Sequence, residues 1–301
     1  MEMLDLQTFM AVAESEGITR ATRALNTVAS NVTTRIKGLE AEIGVPLFAR
    51  HSRGMMLTEA GQRLLPYARQ LLALSAEALA STRDDGVARG PLNIGSMETT
   101  AAVRLPALLA YYHRAHPEVK IMLRTGPTAD LIDSVLARNI DIALVSGPVA
   151  HPALQTQAAY VEQLVLVTPL EVRTNKDLHR WAVGGLTALM FRLGCSYRQR
   201  LEQVLADMGQ RTYSRLEMGT LDGILGCVAA GVGVTVLPKS VVEQSALAGQ
   251  LRCHKLPDTL GKVSTLLVYR SDTRCGAAFE AFKACFRDAQ TSPALGPAGL
   301  P

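Results

Sequence analysis

Aromatic side chains are few: six Phe, seven Tyr and one Trp make up 5% of the 301 residues. A core built from this chain must therefore be mostly Ala, Leu and Val. Cysteine is also sparse. Cys195, Cys227, Cys253, Cys275 and Cys285 all lie in the last third, their number is odd, and no pair has C-x-x-C spacing. That argues against a disulfide framework and against a structural zinc site. Long apolar runs are missing too. The charge-free stretch 223–238 is 16 residues, broken by glycines and closed by proline, against the roughly 20 that a spanning helix needs. The mean hydropathy of +0.14 therefore reports a buried segment. The opening run MEMLDLQTFMAVAESEG has early acids and no basic region, so no signal peptide is expected and the cytoplasm is the default location. There is no G-x-S-x-G, no P-loop, no metal-ligand spacing and no paired-carboxylate motif, which leaves an enzyme, a metal site or a cofactor without support. What is present is a chain 48% apolar and 19% charged, able to bury a large core and too long for one average domain.

The net charge of +4, from 31 bases and 27 acids, is unevenly placed. Residues 1–16 carry four acids and no base. Residues 17–63 carry Arg20, Arg23, Arg35, Lys37, Arg50, Arg53 and Arg63 against Glu40, Glu42 and Glu59, and the long remainder holds 24 bases and 20 acids. The basic excess is densest in one block near the N-terminus, which points to nucleic acid. The same region has helical periodicity. Leu6, Phe9, Met10 and Ala13 predict an amphipathic helix over 3–15, ended by Gly17. Thr19 is a fitting N-cap for a short helix over 20–25. Asn26 and Thr27 make a turn, and Val32, Ile36, Leu39 and Ile43 mark the inward face of a third helix, stopped by Gly44. Two short helices joined by a tight turn in a basic block fit a helix–turn–helix. Ser30, Thr33, Thr34 and Lys37 lie opposite the apolar face, where they can reach base edges or phosphates. The competing reading is a polar face that only meets water. Residues 44–58 suit a small hairpin, with Arg50 and Arg53 placed for a backbone phosphate. A long helix over 59–83 follows, with Pro66 as a kink site. It has more leucine and alanine than a lone solvated helix needs, so it should pair with a second copy or pack on the chain's own domains.

After residue 90 the rhythm changes to strand–helix alternation. Strands are expected at 91–96, 119–125, 140–145, 164–168, 212–218, 232–237 and 263–269. Helices are expected at 99–115, 128–137, 195–208, 221–230 and 276–289. Alternation of this kind implies right-handed βαβ units and a mostly parallel sheet. The tail TSPALGPAGLP has a disordered composition.

The run LQTFMAVAESEGITRATRALNTVASNVTTRIKGLEAEIGVPLFARHSRGMMLTEAG resembles the N-terminal domain of the LysR-type transcriptional regulators. It carries the T-R-A-x-x-A-L core, the R-I-x-x-L-E helix, the G-V-P-L-F-x-R turn and the L-T-E-A-G opening of the long helix. The match is close over about the first 65 residues, and the rest is similar in architecture. The resemblance implies an α/β chain with a winged helix–turn–helix over 1–58 and a linker dimerisation helix over 59–88. An effector domain over 89–289 then follows, resembling periplasmic binding proteins. Its first lobe covers about 89–161 and 265–289 and its second about 162–264, with a disordered tail over 290–301. It also implies a ligand-responsive DNA-binding regulator rather than an enzyme. Its partners would be double-stranded DNA, a second copy of itself (a homodimer, and a homotetramer as a dimer of dimers) and RNA polymerase. An unidentified small-molecule effector would take the place of any cofactor. The DNA-binding set becomes Thr19, Arg20, Ala29, Ser30, Asn31, Thr33, Thr34, Lys37, Arg50 and Arg53. Relatives usually have Gln or another polar residue where Ala29 stands. Alanine can touch a thymine methyl group but cannot hydrogen-bond.

Ligands of parallel α/β sheets bind outside the carboxyl ends of the strands. That rule selects Ser96, Met97, Glu98 and Thr99 after one strand, Thr125 after the next, and Ser146 with Gly147 after the third. In the second lobe it selects Arg192, Cys195, Ser196 and Tyr197 before a helix, Thr220 before another, and Val232 between two glycines. Ser96, Ser196 and Thr220 also read as plain N-caps. Glu98 would repel an anion unless Arg192 offsets it, so the charge of the ligand stays open. Cys195, at a helix N-terminus near Arg192, is expected to have a lowered thiol pKa. Its readings, in order, are pocket lining, redox sensing and catalysis, and no oriented histidine supports the last. Two other functions compete: a transport protein on the same two-lobed fold, and an enzyme in the C-terminal domain. The N-terminal ninety residues argue against the first and the missing motifs against the second.

Overall fold

The computed structural model describes residues 1–51, 54–82, 86–174, 177–178, 185–272 and 276–291. Arg53, Cys275 and the tail from 292 onward lie outside the described residues. The chain divides into two compact units, 1–84 with 137–139 and 85–136 with 140–301.

The first unit contains α1 (Met3–Ser15), α2 (Ile18–Leu25), α3 (Ala29–Ile43), a hairpin of β1 (Phe48–His51) and β2 (Gly54–Leu57), and the long α4 (Glu59–Thr82). Its core follows the helical spacing. Leu6, Phe9 and Val12 of α1 meet Ala21 of α2, Val32, Ile36 and Leu39 of α3, and Ala68 of α4. Phe9 also packs on Phe48, with ring centroids 5.3 Å apart. The polar residues of the sequence motifs hold this core together. Arg35 donates to Asp5 at 2.9 Å, tying α3 to α1. Glu40 accepts the backbone amides of Leu47 (2.7 Å) and Phe48 (3.1 Å), which fixes the start of the hairpin. The Thr58 hydroxyl donates to the Pro46 carbonyl (2.7 Å) and accepts the Gly61 amide (3.1 Å), so it caps α4 and anchors the preceding turn. Two glycines are forced by space. A Cβ on Gly61 would land on the Leu47 carbonyl oxygen, and one on Gly54 (φ 143°) on that of Glu16. The hairpin thereby sits against the α1–α2 turn, with the Met55 amide donating to Glu16 at 3.1 Å.

Two details of the head depart from expectation. α2 begins at Ile18 with Gly17 as N-cap, so Thr19 lies inside its first turn and caps nothing. Ile43 is 39% exposed, because α3 runs past the end of the packed layer by the time the stripe reaches it.

The second unit is α/β and has two main cores. β3 (Gly90–Ser96) pairs in parallel with β4 (Val119–Thr125) and β5 (Ile142–Ser146). Helices α5 (Glu98–Val103), α6 (Leu105–Ala115) and α7 (Thr128–Leu136) lie between them in sequence, and the C-terminal helix Ala277–Thr291 packs on α6 and β3. The few aromatics concentrate here. Tyr112 stacks edge-on against Phe282 at 5.3 Å and donates its hydroxyl to the Ala278 carbonyl at 2.6 Å, with Phe279 and Phe286 beside them. The other lobe is almost wholly aliphatic. Its core joins the second half of β6 (Leu154–Pro169), β7 (Leu186–Met190), α8 (Ser196–Asp207), α9 (Leu221–Ala229) and β9 (Thr235–Pro238). β7 pairs in parallel with β8 (Tyr213–Glu217). The stretch 223–238 that raised the membrane question supplies Ile224, Leu225, Val228, Val234, Val236 and Leu237 to this core. No described helix is long and apolar enough to cross a membrane.

The expected mostly parallel sheet is corrected to a mixed one. β6 and β11 (Lys262–Arg270) pair antiparallel along most of their length, and β6 also pairs antiparallel with β9 and β10 (Leu251–Lys255). The chain crosses between lobes on β6 and returns on β11, so these two strands must run in opposite directions. The first half of β6, β7 and β10 escaped the sequence reading. The first of these is part-exposed and polar, with residues such as Gln155, Gln157 and Glu162 that hide the strand period. The expected helix over 99–115 is broken at Arg104, which separates α5 from α6. Pro106, at the start of α6, has no amide to continue a helix from α5.

Candidate nucleic-acid interface and interlobe cavity

On α3, the buried residues Val32, Ile36 and Leu39 are spaced four and three apart. Ser30, Thr34 and Lys37 repeat that spacing on another face and are exposed, as are Ala29 and Asn31 at the start of the helix. Val28 caps α3 without a side-chain hydrogen bond, and its carbonyl takes the Asn31 and Val32 amides, which leaves those of Ala29 and Ser30 to meet an anion. Thr33 differs from its neighbours. It is half-buried, and its hydroxyl donates to the Ala29 carbonyl at 2.8 Å. The Asn31 amide group donates to Thr27 at 3.2 Å. Thr19 and Arg20 are exposed at the start of α2. Arg50 lies in β1, but its side chain, like the whole of Arg53, lies outside the described residues. Arg35, counted in the basic block, is engaged with Asp5 and lies 3.8 Å from Glu2.

In the second unit a cavity of about 210 Å³ opens where two parallel strand pairs end. Met97, Glu98 and Thr99 follow β3, and Thr125 closes β4, with Gly126, Pro127 and Thr128 leading into α7. From the other lobe, Phe191 and Arg192 follow β7, Cys195 and Tyr197 open α8, and Met218 and Gly219 follow β8. The buried Thr99 and Tyr197 meet across the lobes, the threonine hydroxyl donating to the tyrosine oxygen at 3.3 Å. Burial also pushes the Tyr197 hydroxyl pKa well up, so it stays protonated at any physiological pH.

Six of the selected residues do not line this cavity. Ser96 is fully buried and donates to the Met97 carbonyl at 3.0 Å. Ser146 ends β5 and Gly147 follows it, but both are covered by β11, with Ser146 paired to Thr265 and the Gly147 amide donating to the Ser264 carbonyl at 2.8 Å. Ser196 has its hydroxyl buried. Thr220 is the N-cap of α9, accepting the Gly223 amide at 3.2 Å. Val232 is 44% exposed on the turn after α9. The strand-end rule thus selected residues after β3 and β4 that line the cavity, whereas in the second lobe Arg192, Cys195 and Tyr197 came from the loop before a helix and Thr220, after β8, stays outside it. It over-reached where an antiparallel neighbour covers the strand end. Phe191 had no signal, because β7 itself was not legible.

The thiol expectation is overturned. Burial pushes the Cys195 thiol up, outweighing hydrogen bonds from the Tyr197 and Arg198 amides and the charge of Arg198. The charge that reaches it is Arg198, one helical turn on, rather than Arg192. At neutral pH Cys195 is therefore a protonated thiol, a poor nucleophile. Its alkylation by iodoacetamide is expected to be slower at pH 7 than that of free cysteine and to accelerate only above about pH 9. Mass spectrometry of time points would check this, and faster labelling than free cysteine at pH 7 would restore a reactive-thiol reading. Cys227 and Cys253 pack at the edge of the aliphatic core, and Cys285 is buried among aromatics. No cluster among the described residues could hold a metal ion.

A DNA-reading helical head followed by two lobes around a ligand-sized cavity defines a class: transcription regulators that answer to a small molecule. Comparison with known families is specific. The family described as "Bacterial regulatory helix-turn-helix protein, lysR family" matches residues 3–62, and the "LysR substrate binding domain" matches residues 85–291. The chain belongs to the LysR family of bacterial transcriptional regulators. It is 40% identical over 283 residues to the HTH-type transcriptional regulator GltR of Bacillus subtilis, covering 94% of this chain and 95% of that one. Among solved structures it is similar to a full-length OxyR variant from Pseudomonas aeruginosa (TM-score 0.71, 21% identity, 95% of each chain). It is also similar to full-length CbnR complexed with its target DNA (TM-score 0.69, 22% identity, 96% of this chain and 99% of that one). The protein is a regulator and not an enzyme.

Proposed function

We propose that residues 1–58 bind double-stranded DNA, that a linker helix over 59–88 pairs two copies, and that an effector domain over 89–289 senses a small molecule in the interlobe cavity. The observation that carries this reading is the cavity itself. It is closed by strand ends from two separate cores, with Thr99 and Tyr197 bonded across it. An occupant touching both lobes changes how they sit together, which is the differential interaction a switch requires. For the head, the stripe Ser30, Thr34 and Lys37, with Ala29, Asn31, Thr19 and Arg20 beside it, is the exposed face that would enter the major groove. Tyr67, Leu74 and Leu79 of α4 are 65%, 48% and 54% exposed. These apolar side chains, on a helix whose Ala68 is buried, support pairing between copies, and two heads would then read two half-sites.

The test is a fluorescence-anisotropy titration of the full chain against a duplex selected from a random pool, with and without metabolites that raise its melting temperature. A ligand that stabilises the protein is expected to shift DNA affinity or the footprint, and stabilising ligands without any such shift would count against the reading. In the same assay Lys37→Gln is expected to weaken specific and random duplexes alike and to lower the salt slope by about 1. An unchanged slope would remove Lys37 from the phosphate contacts.

A further inference from the structure

The cavity carries two opposite charges that the protein does not use. Glu98 sits half-buried in the first turn of α5, and Arg192 is exposed on the other lobe. Both line the cavity. Among the described residues neither side chain has a hydrogen-bond or ion-pair partner, and the two are not paired with each other. Two other ionised pairs of the same domain are closed. Arg198 holds Glu217 at 3.0 Å, and Arg104 holds Glu162 at 2.9 Å. The rest of the lining includes the apolar side chains of Met97, Pro127, Phe191 and Met218 and the threonines Thr99, Thr125 and Thr128.

A singly charged ligand would satisfy one of these groups and leave the other facing a like charge or nothing. A neutral apolar ligand would desolvate both without return. A molecule with an ammonium and a carboxylate satisfies both, and its apolar side chain can lie on the Met and Phe walls. The volume of about 210 Å³ is of the size of one amino acid rather than of a nucleotide or an aromatic dimer. We propose that the effector is a zwitterion, a free α-amino acid with an apolar side chain. Glu98 faces its ammonium and Arg192 its carboxylate. This rests on the reading of the cavity as the effector site. It also assigns a sensing direction: the two charges lie on different lobes, so a zwitterion bridges them and draws the lobes together.

The experiment titrates the full-length protein by calorimetry with leucine, methionine and phenylalanine, and with the N-acetyl acid and the amide of each. The free amino acid that binds best is expected to lose at least about tenfold on N-acetylation and again on amidation, since each removes one charge-assisted hydrogen bond. Glu98→Gln is expected to weaken the free amino acid about tenfold while leaving its N-acetyl form within about threefold of wild type. Arg192→Gln should do the same with the amide as the insensitive ligand. Neither side chain has a partner in the protein, so both variants should melt as wild type does. If an N-acetyl acid or a simple monocarboxylate binds as tightly as its parent amino acid, or only such anions bind, the zwitterion inference is overturned and the effector reading stands. If none of the three classes binds and none alters the DNA titration, both fall.

Discussion

Glu162→Ala is expected to destabilise the effector domain by about 3–5 kcal/mol, the cost of leaving a buried charge without its partner. For a domain of this size that is a fall of roughly 6–20 °C in melting temperature. The site is built from three parts of the chain. Arg104, at the break between α5 and α6, places Nε 2.9 Å and a terminal nitrogen 3.1 Å from the two carboxylate oxygens of Glu162 on β6. Ser240, on the short helix Lys239–Glu243, donates its hydroxyl to the same carboxylate at 3.2 Å. The guanidinium also lies 5.2 Å over the Tyr160 ring. The arginine and glutamate side chains are only 12% and 7% exposed, so water cannot replace the lost carboxylate. Removing both charges should cost much less. Arg104→Met with Glu162→Met is expected to recover most of the loss, because replacing a buried pair by apolar groups is often neutral or stabilising. Calorimetry of the full chain with Arg104→Met, Glu162→Met and the double variant checks this. Equal losses in all three would mean that packing, and not charge pairing, holds the crossing between lobes.

The second large effect lies in the head. Ser30→Glu combined with Thr34→Glu is expected to weaken specific DNA binding roughly 100-fold or more, from two contacts at about 1–3 kcal/mol each plus repulsion from phosphate. Both side chains are exposed, so the melting temperature should stay near wild type. Arg35→Gln is the informative contrast. It removes a positive charge from the same helix, yet that charge belongs to Asp5 of α1. Its expected signature is a modest loss of head stability with an unchanged salt slope. A salt slope that drops for Arg35→Gln and not for the double glutamate variant would place the DNA on the wrong face.

The head was legible because its signals are local. Helix stripes and Gly44 after α3 act within a few residues of where they stand. The motif residues even turn out to have structural work: Arg35 and Glu40 bind α1 and the hairpin, rather than a ligand. The strands β3 and β4 were legible for the same reason, each being a short, bounded, apolar-rich segment. β7 and β10 were not, since strands of five residues are too short to show a period. Nor was the first half of β6, whose polar side chains follow from partial exposure at the crossing between lobes.

Composition, charge placement and periodicity alone determined that the chain is a basic helical head joined to an α/β domain with no disulfide, metal or enzymatic signature in its sequence. The scarcity of aromatics held, but only the tertiary structure decided that seven of the fourteen would gather in one lobe and leave the core of the other mostly aliphatic. Tertiary structure likewise decided which strand ends face the cavity, that Glu98 and Arg192 line it from different lobes without partners, and that Cys195 is a half-buried thiol whose pKa is pushed up. The physical reason is common to all three. Burial, pairing and electrostatic environment depend on residues distant in sequence, such as Thr99 and Tyr197 or Arg104 and Glu162, and no local pattern encodes which distant residue will arrive.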